Sequence, residues 1–338
     1  MSELVKIVRF HEIGGADVLR IDELPLPEPG PGEVRLRVKA IGLNRAEIMF
    51  RNGQYFLTPN LPSNIGYEAS GIVEAVGPDV EFDLIGKVRS TVPAFALNEY
   101  GVYGEVCIVP ASALAAYPAH LSFEEGTSVW MPYIAAYGAI VHNGCVAKGD
   151  HVVLTAATSS VGIAAIQIAK AEGAIVIATT RTADKADELL SAGADHIIAT
   201  NEEGDVAARI AAITNGVGAK VIFDAVAGPG ILALARAAAR DGLIMIYGTL
   251  SPEPTPFPVF ESWGQAAQLK PFRMMGYSLF SITNDQEALK SAIRYVFDKL
   301  ESGKLKPRID RVFKLTQIAD AHRYMDKGQQ IGKIVVTV

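Results

Sequence analysis

The stretch that most narrows what this chain can fold into is His151 to Lys185, HVVLTAATSSVGIAAIQIAKAEGAIVIATTRTADK. Its apolar run His151 to Leu154 reads as a strand and the small residues Ala156 to Ser160 as a tight turn. Val161 to Glu172 then carries a helical pattern, and β-branched Ile175 to Thr180 reads as a second strand. That order is half of a dinucleotide-binding unit. A pyrophosphate must come close enough to accept hydrogen bonds from amides at the helix start, where the dipole also favours an anion, so the turn needs small side chains. Ala156, Ser159 and Gly162 stand in for the glycines of the G-x-G-x-x-G fingerprint, with Ser160 and Val161 completing the helix start. Two of the glycines are missing. The competing reading is an ordinary βαβ crossover with a Ser-rich turn, although serine hydroxyls also donate to phosphate oxygens.

The end of the second strand favours the nucleotide. A chain that prefers NAD carries an acidic residue about 20 positions past the turn, where it holds the ribose hydroxyls. Here the tip reads Thr179, Thr180, Arg181, Thr182, followed by Lys185. Two cations and three hydroxyls suit a 2′-phosphate through charge-assisted hydrogen bonds, so the expected cofactor is NADPH, contacted by Thr180, Arg181 and Lys185. The alternative leaves Arg181 and Lys185 as solvated charges, at a helix start where cations are unfavourable unless an anion visits.

Downstream the theme repeats. Helix Ala183 to Ala192, strand His196 to Ala199, helix Asp205 to Thr214, strand Lys220 to Ala225, helix Gly230 to Ala239, strand Leu243 to Tyr247 and strand Phe272 to Tyr277 alternate. Such alternation predicts an α/β domain with a doubly wound parallel sheet of six strands, whose ligands bind beyond the strands' carboxyl ends. The candidate contacts there are Ala225, Gly248 and Thr249, with Leu279 after the last strand facing substrate.

The first 125 residues read differently. Strands at 4–10 and 19–23, the alternating EVRLRVKA of Glu33 to Ala40, and the glycine-punctuated Ile65 to Gly77 predict a β-rich domain. Ser122 and Glu125 form a capping box before the apolar helix Ser128 to Ile140, which carries Tyr137. From Asn284 an amphipathic helix, a strand Ile309 to Lys314, a helix Ile318 to Lys327 and a strand Lys333 to Val338 return to the N-terminal half. At 338 residues the chain suits two domains, and 49% hydrophobic with 20% charged residues is the balance of a globular protein. The net charge of −6 is spread without acidic or basic blocks, which argues against nucleic acid or an anionic membrane as partner. No leader pattern or long apolar run stands out, so a cytoplasmic location is expected. Cys107 and Cys145 lack ligand spacing and read as idle thiols.

Together the Asn44 to Tyr55 segment, GYEASGIVEAVG, AATSSVG, SAGADHIIAT and the closing IGKIVVTV resemble the medium-chain dehydrogenase/reductase superfamily, specifically its zinc-independent NADPH:quinone oxidoreductase branch. The resemblance implies a GroES-like catalytic domain (1–125), a Rossmann domain (126–270), and a last segment (271–338) that adds the final Rossmann strand and returns to the catalytic domain. It also implies a homodimer, Asn44 near the nicotinamide and Tyr55 lining the substrate pocket; relatives' nicotinamide-touching Thr is replaced here by Ala135, so Tyr137 is a candidate for part of its role, and Leu279 joins the pocket from its place after the last strand. Zinc-bearing relatives place a Cys near Asn44 and a His where Tyr67 stands, which leaves Glu68 alone; three ligands are needed, so no metal is expected. Tyr55 is a candidate to orient a carbonyl or, with a lowered pKa, to protonate an enolate. Asn44 reads equally as a helix cap, and Lys333 is a candidate to reach the cofactor.

The expected activity is hydride transfer from NADPH to a quinone or α,β-unsaturated carbonyl, a small electrophile. The protein supplies proximity, orientation and a hydrogen bond to the oxygen that gains charge. An enoyl-thioester reductase and a non-catalytic NADPH-binding sensor or structural protein remain as alternatives.

Overall fold

The computed structural model describes residues 3–267 and 270–338. Contacts divide the chain into two compact units. The first comprises residues 1–131, 283–301 and 306–338, and the second 132–282 and 302–305. The first break falls at 131/132, near the expected 125/126, and the chain returns to the first unit at 282/283, after the last strand of the six-stranded sheet.

The second unit is built on a six-stranded sheet, every neighbouring pair parallel. From one edge to the other run His196–Ala199, Ile175–Thr180, His151–Leu154, Ala219–Asp224, Ala238–Ile246 and Phe272–Gly276. Numbered along the chain from His151–Leu154, this is the doubly wound order 3-2-1-4-5-6. Val152, Val153 and Leu154 are buried, as a strand sandwiched between helices requires. One core joins Val153, Ile177, Ile198, Ile222 and Ile244 from the sheet to Ile210 and Leu234 from helices Val206–Ile213 and Ile231–Ala237. Two element boundaries depart from the sequence pattern. The helix expected to Ala239 ends at Ala237, and the strand begins at Ala238, carrying Asp241 with φ 56°. The helix expected to Ile140 is α-helical only over Trp130–Tyr137 and widens into a π-helical stretch, Gly138–Asn143, where Asn143 Nδ2 donates to the Gly138 carbonyl (2.7 Å).

The first unit is β-rich. Leu19–Pro25, Leu4–Phe10 and Ser63–Asn64 form a small antiparallel sheet. A seven-stranded sheet runs Ile309–Lys314, Lys333–Thr337, Glu33–Gly42, Glu68–Val76, Val88–Thr91 and Leu114–Ala115, with Val106–Pro110 also paired to Glu33–Gly42. The closing strand Lys333–Thr337 lies antiparallel to Glu33–Gly42, so the C-terminus completes a sheet begun 300 residues earlier, pairing Val335 with Gly42. Gly66 takes φ 106°, and a Cβ there would stand 2.1 Å from the Tyr103 ring; only glycine serves this entry into strand Glu68–Val76. The capping box is present: Ser122 Oγ accepts from Glu125 N (3.2 Å), and Glu125 Oε2 accepts from Ser122 N (2.8 Å).

Candidate active site

In the second unit the small-residue turn joins the central strand His151–Leu154 to helix Ser160–Ala171, at the carboxyl edge of the sheet. Ser159 caps this helix, its Oγ accepting from Gly162 N (3.0 Å). The amides of Ser160 and Val161 are therefore the helix-start donors left for an anion. Gly162 is required by space: a Cβ would lie 2.4 Å from the Ala157 carbonyl oxygen. Counted back from Gly162, the fingerprint spacing reaches Ser159 and Ala157, so its first position is Ala157 and not Ala156. Ala157 is fully buried and its N–H donates to the Thr179 carbonyl (3.2 Å). Ala156 instead takes the left-handed φ of 46°, at a cost of about 1–2 kcal/mol for a residue with a Cβ.

Beyond the neighbouring strand, Thr180 is half-buried and Arg181 exposed, and Lys185 is half-buried at the end of the short 3₁₀ turn Ala183–Lys185. Among the other expected contacts, Ala225 is buried, and Gly248 lies so close beneath it that a Cβ would stand 2.7 Å from the Ala225 carbonyl oxygen. Thr249 is exposed, Leu279 half-buried and Tyr137 buried. Sequence reasoning missed what holds this edge together. The buried Asp224 carboxylate accepts from Thr155 Oγ1 (2.6 Å), Val226 N (3.0 Å) and Ala227 N (2.9 Å). An acid closing the apolar run KVIFD was the available signal. These donors and contours fit a dinucleotide pyrophosphate over the turn, with a phosphorylated ribose toward Arg181 and Lys185.

The first unit gathers Asn44, Glu47, Glu68 and Lys333 into a buried cluster. Asn44 is the N-cap of helix Arg45–Arg51, in a capping box with Glu47. Its Nδ2 donates to Gly42 O (3.2 Å) and Glu47 Oε1 (3.1 Å), and its Oδ1 accepts from Lys333 Nζ (2.6 Å). Both amide protons of Asn44 are thus engaged inside the protein. Lys333 Nζ also donates to Glu68 Oε2, whose other oxygen accepts from Met131 N (2.8 Å). At 1% exposure, the Lys333 ammonium, a candidate to reach the cofactor, is engaged by Glu68 and Asn44. The physical reason is that a buried carboxylate demands a partner.

Glu47 Oε1 also accepts from Tyr67 N (3.1 Å). Burial pushes the Glu47 carboxyl up to about 7, against the pull of Lys333 and of its amide donors. Tyr55 follows the helix, half-buried, with its hydroxyl 3.3 Å from that of Tyr67. Burial pushes the Tyr55 phenol up to about 12 and the Tyr67 phenol higher still. Burial thus raises the Tyr55 pKa, where proton donation was expected to go with a lowered one, and the hydroxyl stays neutral at pH 7. Among the described residues, no group of three His, Cys, Asp or Glu is arranged to hold a metal ion. No helix among them is long and apolar enough to cross a membrane.

Comparison with known proteins agrees with this architecture. Residues 30–119 match the family described as alcohol dehydrogenase GroES-like domain, and residues 160–294 the family described as zinc-binding dehydrogenase. A quinone oxidoreductase of Pseudomonas syringae pv. tomato is 30% identical, over 99% of this chain and 100% of that one, with a TM-score of 0.88. The Escherichia coli quinone oxidoreductase, solved in complex with NADPH, is 28% identical over 98% and 100% of the two chains, with a TM-score of 0.87. An NAD-dependent alcohol dehydrogenase is 31% identical over 98% and 99%, with a TM-score of 0.88. The chain belongs to the medium-chain dehydrogenase/reductase superfamily, in its quinone oxidoreductase-like branch.

Proposed function

We propose that this protein is an NADPH-dependent reductase that passes hydride to a quinone or an α,β-unsaturated carbonyl without help from zinc. The observation that carries the reading is the small-residue turn at the head of helix Ser160–Ala171, with Arg181 and Lys185 beyond the next strand and no carboxylate at that strand's tip. Bound there, the cofactor supplies the hydride. Ser160 and Val161 hold its pyrophosphate by their amides, and Arg181 and Lys185 hold the 2′-phosphate. The Tyr55 hydroxyl keeps its proton at neutral pH and donates a hydrogen bond to the substrate oxygen as negative charge gathers on it. Tyr137 and Leu279 are assigned to the substrate pocket.

Independence of zinc is supported by the donor set itself. Asn44 and Tyr67 are not credible ligands, and Glu68 is held by the Lys333 ammonium. We further propose a homodimer, supported by the edge position of strand Phe272–Gly276 and the exposed Phe257, Phe260 and Trp263 nearby in the chain. A small-molecule partner and a cytoplasmic location complete the reading.

The test is oxidation of NADPH and of NADH against 1,4-benzoquinone, an enone and an enoyl thioester, with and without a chelator. Turnover with NADPH and quinone or enone that survives chelation is the expected result. Turnover only with the thioester would favour the enoyl-thioester reductase, and NADPH binding without turnover a sensor. Activity confined to NADH or abolished by the chelator would refute the proposal.

A further inference from the structure

Two phenols meet in the first unit, and they are held very differently. Tyr67 is fully buried and fixed on several sides. Its N–H donates to Glu47 Oε1 (3.1 Å), its carbonyl accepts from Thr91 Oγ1 (2.8 Å), and its ring lies 5.7 Å from that of Phe95. Glu47 is itself tied to both the backbone and the side-chain amide of Asn44, so the floor under Tyr67 extends into the helix cap. Tyr55 sits on the irregular segment after that helix, half-buried, its ring edge-on to Phe50 (6.3 Å) and 4.2 Å from that of Phe56. These ring contacts leave the direction of the Tyr55 hydroxyl to its polar neighbour, the Tyr67 hydroxyl at 3.3 Å.

We propose that Tyr67 is a positioning residue of the active site, its O–H donating to the Tyr55 oxygen so that the Tyr55 O–H is aimed at the substrate carbonyl. The inference rests on the reading above that Tyr55 contacts substrate. In a chain of two hydroxyls each bond polarises the next, so a donor behind Tyr55 makes it a better donor in front. A phenylalanine at 67 would keep the ring on Phe95 and the backbone bonds to Glu47 and Thr91 while removing the hydroxyl that supplies this donor.

The experiment compares Tyr67→Phe, Tyr55→Phe and the double variant as full-length proteins, with NADPH and the best acceptor of the panel. A neutral hydrogen bond of this kind corresponds to a roughly 2- to 10-fold effect. We expect Tyr67→Phe to lower kcat by about that factor with the KM for NADPH unchanged, and the double variant to be no slower than Tyr55→Phe alone. A Tyr67→Phe loss that multiplies in full onto the Tyr55→Phe loss would mean the two act separately, and the proposal would fall. An unchanged kcat in Tyr67→Phe would overturn it as well. A silent Tyr55→Phe in an enzyme that still turns over would overturn both the role of Tyr55 and this one. A readout independent of turnover comes from protein labelled with ¹³C at tyrosine Cζ. The Tyr55 resonance moves in Tyr67→Phe if the hydroxyls are bonded, and an unmoved resonance overturns the proposal even if the reductase reading stands.

Discussion

Replacing Gly162 by alanine sets two effects of opposite sign against each other. Gly162 is the third residue of helix Ser160–Ala171, where alanine would ordinarily gain about 1 kcal/mol in helix propensity. Its Cβ, however, would lie 2.4 Å from the oxygen and 2.6 Å from both the carbonyl carbon and the Cα of Ala157. All three are backbone atoms of the turn, and Ala157 is fully buried and bonded to Thr179. Restoring an ordinary contact of 3.4 Å means moving that backbone by 3.4 − 2.4 = 1.0 Å. Overpacking of this kind costs about 1–3 kcal/mol, and with no flexible side chain to yield, the upper end applies. The net expectation is a loss of about 2 kcal/mol in stability. The same displacement carries the Ser160 and Val161 amides off a bound phosphate. Losing a hydrogen bond to a charged group weakens NADPH binding roughly 10- to 150-fold. Urea unfolding followed by circular dichroism gives the first quantity, and NADPH fluorescence titration the second. Gly230→Ala is the control: its backbone is helical and a Cβ there meets nothing within 4 Å, so it should leave NADPH binding unmoved and stability unchanged or raised by up to about 1 kcal/mol. A Gly162→Ala protein as stable as the parent, with an unchanged Kd for NADPH, would refute both the packing argument and the placement of the phosphate.

Other outcomes follow from the same geometry. Arg181→Ala should raise the KM for NADPH by about 10- to 150-fold, the worth of a charge-assisted contact, and leave that for NADH within twofold; equal effects on both would remove Arg181 from the 2′-phosphate. His322 is fully buried with neither ring nitrogen hydrogen-bonded, and burial, then the Arg51 charge, hold its pKa down at about 3 against 6.5 for the free side chain. The unfolded chain therefore takes up this proton first, so the His322 contribution is complete above pH 6.5 and drains as pH falls toward 3, by about 1.4 kcal/mol per pH unit. His322→Phe, which keeps the edge-on contact to Tyr103, should abolish about 2 kcal/mol of the parent's stability loss between pH 7.5 and 5.0, and parallel losses in the two proteins would contradict this. Lys333→Met leaves Glu68 buried without its ion partner and should cost about 3–5 kcal/mol, much of it recovered in Lys333→Met/Glu68→Gln. Matching urea midpoints for parent and Lys333→Met would show that the pair does not hold the sheet.

Much of this protein is legible along the chain because neighbouring residues decide it. The alternation of apolar runs and helical periods from His151 to Tyr277 determines a parallel doubly wound sheet, since a strand buried on both faces and a helix buried on one carry distinct patterns. The capping box of Ser122 and Glu125 and the demand for small residues around Gly162 are local in the same sense. Even so, the left-handed φ of Ala156 shows only in the folded backbone, because side-chain size reports the space available and not the φ that a connection needs. What only tertiary structure decided is the pairing of polar groups once water is gone. Lys333 meets Asn44 across 289 positions and Glu68 across 265, and Tyr55 finds Tyr67 only after the chain has passed through a strand between them. A lysine in a closing strand and an asparagine at a helix start each look free to serve a ligand when read alone. Burying a charge without a partner costs far more than any local preference supplies, so the topology that buries Glu68 also dictates where Lys333 must point.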